Sequence, residues 1–405
     1  MTCLAAALAA GGCGRADRAD QVVIWEQMDP REQAVLDAHI EQFRAAHPEF
    51  AHVRITHANY NTEDLRTQFQ TAALAYGGPN LVYGPSDQIG PFVVMDLVLP
   101  LDELLTADEL ARFDPSGLPT LEGHVWGLPD QVGNHLTLVA NRAFVDQVPA
   151  DTDLWLEQLR RLTVDEDGDG RPEVYGVVFD RVEPFFLVPW LGGFGGWVMD
   201  EQADPTLDTA AMAGALAFLK QLKDEGLMPR ECDYQLADTL FKEGRAAYIV
   251  NGPWSWDGYR SAGVDIELAL LPQVSATGLW PSPMTAAKCY SVNRYTHPEA
   301  MDATLALLRW LTSADVQRDL ARELAVLPGD LQVRQDPALV ADPLLAASRR
   351  QVEKGRIMPI VTEMRAIWDA MRPAYQACLA GDATPAEAAR QMQERAERLI
   401  AEMRQ

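Results

Sequence analysis

Four acidic side chains follow one another at the spacing of a calcium-binding loop; they are Asp165, Asp167, Asp169 and Glu173. The three aspartates fit positions 1, 3 and 5 of such a loop, Gly170 fits the turn at position 6, and the glutamate fits position 9. Position 12 is Gly176, so the bidentate glutamate that completes a calcium shell is missing. The segment therefore predicts either a weak structural Ca²⁺ site or an acidic surface turn, and we expect no other cofactor.

Aromatic side chains beside glycine or proline are a second feature with chemical meaning. Such clusters recur along the chain, among them Pro184-Phe185-Phe186 and Gly252-Pro253-Trp254. Aromatic residues on such turns tend to line clefts between elements. Aromatic rings stack on the apolar faces of sugar rings, and Asp, Glu, Asn and Arg side chains bind the hydroxyl groups at their rims. The combination favours a sugar-binding cleft.

Other tryptophans fit a structural role better. Trp310 lies among leucines at helical spacing, so we expect it in the core, and we expect the same of Trp256. Trp25 fits either role. Trp368 has methionine and isoleucine neighbours at helical spacing, so a core position is an alternative to ligand contact.

Signatures of catalysis and of nucleic-acid binding are missing from the sequence. It contains no G-x-S-x-G, H-E-x-x-H, P-loop or G-x-G-x-x-G motif, and its seven histidines are scattered. With 34 basic and 59 acidic residues, the net charge is −25, which repels phosphate backbones and anionic membranes. We therefore expect a non-enzymatic protein that binds no nucleic acid. The alternative is a secreted carbohydrate-active enzyme that uses a pair of carboxylates.

The first twenty residues resemble the end of a bacterial lipoprotein signal peptide. A short apolar run ends in Gly11-Gly12-Cys13, and a charged stretch up to Asp20 follows. A basic n-region is absent and the apolar run is short, so a cytosolic N-terminus is the alternative. We expect residues 1–20 to be signal and tether, Cys13 to be lipidated, and the protein to be periplasmic or at the cell surface.

Three further cysteines, at positions 232, 289 and 378, have no C-x-x-C spacing. Three buried thiols are the expected arrangement, although one disulfide stays open as an alternative.

The elements that would position these groups alternate between strands and helices. Strands are predicted at 22–25, 53–57 and 81–83, with amphipathic helices between them, which is typical of a parallel sheet in an α/β domain. A long apolar helix is predicted at 210–225. The last helix begins with Thr384, Pro385 and Glu387, a capping box.

Several segments resemble, in the same order, the family 1 extracellular solute-binding proteins of ABC importers, which include the maltose/maltodextrin-binding proteins. The sequence AAYIVNGPWSW at 246–256 resembles the family's strand and turn, and LTS at 311–313 followed by Gln317 resembles its helix pair. The remaining matches are PNLVY at 79–83, EPFF at 183–186, FKEGR at 241–245 and MRAIWDAMR at 364–372. The resemblance runs from about residue 22 to the C-terminus.

The resemblance implies a ligand set when it is carried over residue by residue. Rings that would stack on sugar are Phe185, Trp254 and Trp368, and groups that would bind hydroxyls are Asp29, Asp87, Glu183 and Arg372. In the first part of the chain several family positions differ: Pro30 replaces a lysine, Gly84 a tryptophan, Gln88 an arginine, and Gly133-Asn134 a glutamate, which makes Asn134 a candidate ligand residue.

The resemblance also implies the architecture and the mechanism. We expect an α/β, two-lobed periplasmic-binding-protein fold with a ligand cleft between the lobes and a hinge that the chain crosses several times. The expected N-terminal lobe holds 22–131 plus 290–335, and the expected C-terminal lobe holds 136–285 plus 345–405. A monomer would bind a sugar or oligosaccharide, close over it, and dock on the transmembrane permease subunits of an ABC transporter. A sensor subunit that presents the ligand to a membrane receptor is the second alternative.

Overall fold

The structure, a computed structural model, describes residues 19–115 and 117–404. Cys13 and most of the predicted tether lie outside the described residues. The strands within this part of the chain are β1 Gln21–Glu26, β2 Arg54–Asn59, β3 Leu81–Pro85, β4 Thr120–Leu121, β5 His124–Val125, β6 Leu128–Val132, β7 Thr137–Asn141, β8 Tyr175–Val178, β9 Ala246–Asn251, β10 Ile266–Ala269, β11 Met284–Thr285, β12 Ala287–Val292, β13 Leu327–Pro328 and β14 Arg356–Ile357.

Helices connect most of these strands. In the same described ranges the α-helices are α1 Pro30–Ala46, α2 Thr62–Leu74, α3 Ile89–Val94, α4 Ala107–Leu110, α5 Thr152–Leu162, α6 Val188–Gly193, α7 Ala210–Asp224, α8 Tyr234–Lys242, α9 Pro253–Ser261, α10 Met301–Leu311, α11 Ala314–Leu324, α12 Pro337–Ala341, α13 Pro343–Val352, α14 Glu363–Ala380 and α15 Pro385–Met403. The predicted capping box of the last helix is confirmed: the Thr384 hydroxyl accepts from the Glu387 amide, and the Glu387 carboxylate accepts from the Thr384 amide.

The first lobe is built on a six-stranded sheet in the order β13-β6-β12-β3-β1-β2. β1 runs parallel to β2 and β3, as the strand–helix alternation predicts, whereas β12 runs antiparallel to β3 and β6. Buried and half-buried residues alternate along β1, and the buried side chains of Val22 and Ile24 face a core shared with α1 and α10. The helices α2 and α3 pack on the other face through Leu65, Phe69 and Phe92.

The second lobe is built on a four-stranded sheet in the order β10-β7-β9-β8. β8 and β9 are parallel, while β7 is antiparallel to β9 and β10. Every residue of β9 is buried because helices cover both faces of this sheet. One face packs on α5, α7 and α14, and the other on α8, α9 and α13.

The chain passes between the two sheets more than once. It passes from the first sheet to the second between β6 and β7, and it returns to the first between β10 and β12. It leaves the first sheet again after β13, since α13 packs against β10 of the second. We therefore propose crossings at 133–136, 270–286 and 329–342. The first crossing contains Gly133, whose φ of +73° is a left-handed conformation that favours glycine.

No helix in the described ranges combines the length and the apolarity needed to cross a bilayer.

Candidate ligand-binding cleft

Two of the predicted hydroxyl-binding residues lie at one edge of the first sheet. Asp29 follows β1 and Asp87 follows β3, and the carboxyl ends of these parallel neighbours meet at that edge. Asp29 is the N-cap of α1, where its Oδ1 accepts from the amides of Arg31 and Glu32 at 2.8 Å. The α1 cap therefore fixes the orientation of the Asp29 carboxylate.

A buried ion pair between Glu32 and Lys288 contacts the backbone of Asp29. Glu32 Oε2 accepts from the Asp29 amide at 3.1 Å, and its Oε1 accepts from Lys288 Nζ at 2.8 Å. The Lys288 and Glu32 side chains are 5% and 6% exposed, so both charges are removed from water. A buried pair of this kind holds position only while both partners are present.

Trp254 lies at the carboxyl end of β9 in the second lobe, in the first turn of α9 and half-buried. Its Nε1 donates to the Tyr234 hydroxyl at 3.0 Å. The indole lies over Gly252: a Cβ at that position would lie 2.1 Å from the ring. The absence of a side chain at Gly252 therefore makes room for the ring.

The Tyr234 hydroxyl, which accepts from Trp254, lies in surroundings that keep it protonated. Burial raises the pKa of the Tyr234 hydroxyl to about 12, and the carboxylates of Asp238 and Asp29 act in the same direction. A direct contact also joins the lobes here: Arg31 Nε, in the first turn of α1 after Asp29, lies 3.7 Å from Asp257 Oδ2 of α9. The capped end of α1 therefore lies close to the helix that carries Trp254.

The remaining predicted ligand residues of the second lobe form a second group. The Arg372 guanidinium donates two hydrogen bonds to the Glu183 carboxylate, from Nη2 to Oε2 at 2.9 Å and from Nε to Oε1 at 3.2 Å. The rings of Phe185 and Trp368 meet edge-on, with centroids 6.4 Å apart. Phe185 is half-buried, but Trp368 is only 8% exposed and belongs to the core of the second lobe. The position of Trp368 therefore fits the core alternative, and its contact with a ligand stays a prediction.

Trp368 and Asp87 line one small cavity between the lobes, of about 30 Å³. Its wall also includes Glu63 and Arg66 of α2 and Arg365 of α14. Sequence reasoning missed these three charged residues, because Glu63 and Arg365 are 302 positions apart and the match at 364–372 implied ligand contact only for Trp368 and Arg372.

The other sequence candidates lie elsewhere. Asn134 lies in the first crossing, where its amide donates to the Ala286 carbonyl at 2.8 Å. Trp256 is fully buried in the second lobe, as expected. Trp310 is only half-buried, because it lies at the edge of the α1–α10 contact and donates to the His39 carbonyl at 3.0 Å. Trp25 is half-buried and contacts Tyr60.

A profile of the family described as bacterial extracellular solute-binding protein matches residues 38–347, which is more than half of the chain. The chain belongs to this family. Its membership confirms the resemblance found in the sequence.

Individual members of the family show how far the similarity extends. The maltotriose-binding protein of Pyrococcus abyssi is 29% identical over 365 residues, covering 89% of this chain and 77% of the relative. The galactooligosaccharide-binding protein of Bacillus subtilis is 24% identical over 420 residues, covering 98% and 95%. The maltose/maltodextrin-binding domain MalE from Bdellovibrio bacteriovorus, solved with maltotriose, is 40% identical and superimposes with a TM-score of 0.90, covering 94% of this chain and all of that one. These matches confirm the two-lobed α/β fold.

The acidic loop of this solute-binding protein differs from the predicted calcium ligand set. Carboxylate oxygens of Asp165, Asp167 and Asp169 lie within 4.8 Å of one another, and all three residues are exposed. Glu173 does not join them: its Oε2 accepts from the Glu166 amide at 2.7 Å. Because three exposed carboxylates supply few of the six to eight oxygens that calcium prefers, these contacts favour the surface turn.

The three described cysteines are free and buried; they are Cys232, Cys289 and Cys378. The expectation of three thiols is confirmed. Burial raises the pKa of the Cys232 thiol to about 12, so it is held in the unreactive protonated form.

Asp87→Asn is expected to stabilise the protein at pH 7.5 by up to about 1 kcal/mol, a value reduced because Asp87 is partly exposed. Burial raises the pKa of Asp87 to about 6, and the Glu63 carboxylate acts in the same direction. An unfolded aspartate titrates near pH ~3.9, so ionisation of Asp87 lowers folding stability as the pH rises from about 4 to about 6. Urea denaturation at pH 4 and pH 7.5 would measure the difference.

The variant should gain stability at pH 7.5 and little at pH 4. The exposed Asp382→Asn is the matched control, and it should change neither value. An equal effect of Asp87→Asn at both pH values would contradict this assignment.

Proposed function

We propose that this solute-binding protein captures a short malto-oligosaccharide, such as maltotriose, outside the cytoplasmic membrane and delivers it to the permease of an ABC importer. The observation that carries the proposal is the arrangement of the cleft. Aromatic faces at Trp254, Phe185 and Trp368 adjoin carboxylates and a guanidinium that suit hydroxyl rims. The 40% identity to a domain solved with maltotriose supports the choice of sugar.

The capture mechanism that we propose follows from the two lobes. Asp29 and Asp87 would bind hydroxyls from the first lobe, while Trp254 and Phe185 would stack on the sugar from the second. Closure would exclude water and strengthen each polar contact, because the local dielectric falls. The closed form would then dock on the permease.

A thermal-shift screen would test this proposal. Maltose, maltotriose and maltotetraose should raise the melting temperature, and calorimetric titration should give one site per chain. Galacto-oligosaccharides are the discriminating comparison, because one relative carries that name. If no neutral sugar in the series shifts the melt, the proposal is wrong.

The enzyme alternative needs a pair of carboxylates that both face the substrate. Glu183 does not fit this role, because Arg372 holds it in a bidentate ion pair. The same maltotriose incubation, followed by chromatography, should show intact trisaccharide. The sensor alternative would instead show ligand-dependent binding to a receptor without transport.

We also propose that Cys13 anchors the protein by lipid to the cytoplasmic membrane. The support is the apolar run before Gly11-Gly12-Cys13 and the family's extracellular description. Expressed with its complete upstream start, Cys13→Ala should move the protein from the membrane fraction to the soluble fraction. A wild-type protein that already fractionates with cytosolic markers would contradict the proposal. Ser116→Ala, which leaves the predicted signal untouched, is the control.

A further inference from the structure

An ion pair joins the two lobes at the edge of the cleft. Arg365 Nη1 donates to Glu63 Oε1 at 2.9 Å. Glu63 belongs to α2, which packs on the first sheet, and Arg365 belongs to α14, which packs on the second. Burial alone would raise the pKa of Glu63, but the Arg365 and Arg66 guanidiniums bring it below its ordinary value. The glutamate is therefore charged at neutral pH.

The pair is one link in a chain of alternating charges. Arg365 also contacts Asp369 at 3.1 Å, and Asp369 lies 3.5 Å from Arg372, which holds Glu183. From the first lobe to the second, the chain of charges is Arg66, Glu63, Arg365, Asp369, Arg372 and Glu183. It therefore ends on two residues that we place in the ligand site.

The backbones of the two lobes also meet here. A methyl group at Gly90 of α3 would lie 1.8 Å from the carbonyl oxygen of Ile360, three residues before α14 begins. Such an approach is available only to glycine. The ion pair and this backbone contact belong to the same inter-lobe region. The helices that carry Glu63 and Gly90, α2 and α3, pack in one core of the first lobe.

We propose that Glu63 and Arg365 form an inter-lobe clasp that holds the cleft closed and sets the lifetime of the bound sugar. This inference rests on the proposed function for the identity of the ligand, but the clasp itself is a property of the chain. Because the pair joins α2 of the first lobe to α14 of the second, a movement that parts these helices would break it, so it stabilises only arrangements in which they stay in contact. A contact of this kind slows dissociation more than it speeds association.

The expected size of the effect follows from the exposure of the pair. The side chains of Arg365 and Glu63 are 26% and 53% exposed, and partly exposed ion pairs contribute modestly. We expect Glu63→Gln or Arg365→Gln to raise the dissociation rate of maltotriose roughly two- to fivefold at low salt. At about 1 M salt the difference should largely vanish, because the Debye length falls to ~3 Å.

The test is a double-mutant cycle with Glu63→Gln, Arg365→Gln and the double variant, read by stopped-flow tryptophan fluorescence with maltotriose. The double variant should dissociate no faster than the faster single variant, because either change removes the same contact. The control is Glu225→Gln, which breaks a similarly exposed pair with Arg160, at 2.7 Å, within the second lobe alone. It should leave the dissociation rate unchanged.

Small-angle X-ray scattering without sugar keeps the clasp testable on its own. Glu63→Gln and Gly90→Ala should each give a larger radius of gyration than the wild type at low salt, while Glu225→Gln should not. Unchanged scattering together with additive rate effects would overturn the clasp. A failure of every sugar to bind would overturn the proposed function, and the scattering result would still decide the clasp.

Discussion

Trp254→Ala is expected to weaken maltotriose binding by about 1.5–3 kcal/mol, roughly a tenfold to hundredfold rise in Kd. The half-buried indole is one of the proposed stacking faces, and its removal takes away both apolar contact and the sugar C–H interactions. Folding stability should fall by less, because the ring is already partly wet in its own lobe. Calorimetric titration beside urea denaturation would measure both quantities.

Trp310→Ala is the control for that prediction. Trp310 is also half-buried, but it packs on α1 in the first lobe and donates to the His39 carbonyl. Its loss should lower the free energy of unfolding, at the low end of the ~3–5 kcal/mol range for buried tryptophans, and leave Kd unchanged. If Trp254→Ala binds as the wild type does, Trp254 does not stack on the ligand.

Lys288→Met is expected to lower the free energy of unfolding by about 3–5 kcal/mol. The substitution leaves the Glu32 carboxylate buried without its positive partner. Asp130 adds little at pH 7.5, because burial raises its pKa to about 8 and its carboxyl group is mostly protonated there. Urea denaturation at pH 7.5 would measure the loss.

The surface ion pair between Lys220 and Asp224 is the control for the buried pair between Lys288 and Glu32. Lys220 pairs with Asp224 one turn later in α7, and both side chains are partly exposed. Lys220→Met should therefore change the free energy of unfolding by less than about 0.5 kcal/mol. Adding Glu32→Met to Lys288→Met should restore part of the loss, because no unpaired charge then remains. A Lys288→Met loss as small as that of Lys220→Met would refute the assignment of a buried pair.

Local patterns in the sequence predicted the elements that carry the site. The short apolar runs at 22–25, 53–57 and 81–83 correspond to the three parallel strands. They could be predicted because the pattern of apolar residues that marks a strand lies within the strand itself. Asp29 and Asp87 were named only through the family resemblance, although each directly follows a strand of that set. The antiparallel half of the sheet escaped prediction, since β12 pairs with β3 about 200 residues away.

Contacts between segments that are far apart in the sequence could not be predicted from it. Lys288 and Glu32 are 256 positions apart, and a lone lysine in a strand has no local signal that it will be buried and paired. Trp310 illustrates the opposite error: its leucine neighbours indicate a core face, but the ring lies at the edge of that face. Glu173 satisfied the calcium spacing, yet it bonds to the Glu166 amide. Spacing along the chain does not fix which way a side chain turns.

The fixed position of the Trp254 indole has a consequence for the order of events in binding. The chain's own contacts fix its indole, between the Tyr234 hydroxyl and the bare backbone of Gly252, so a sugar would not have to order a loose side chain on arrival. Ordering such a side chain costs about 0.5–1.5 kcal/mol. The Trp254 face of the second lobe is therefore preorganised, so a sugar could bind there first, with the movement of the first lobe following as a separate and later step.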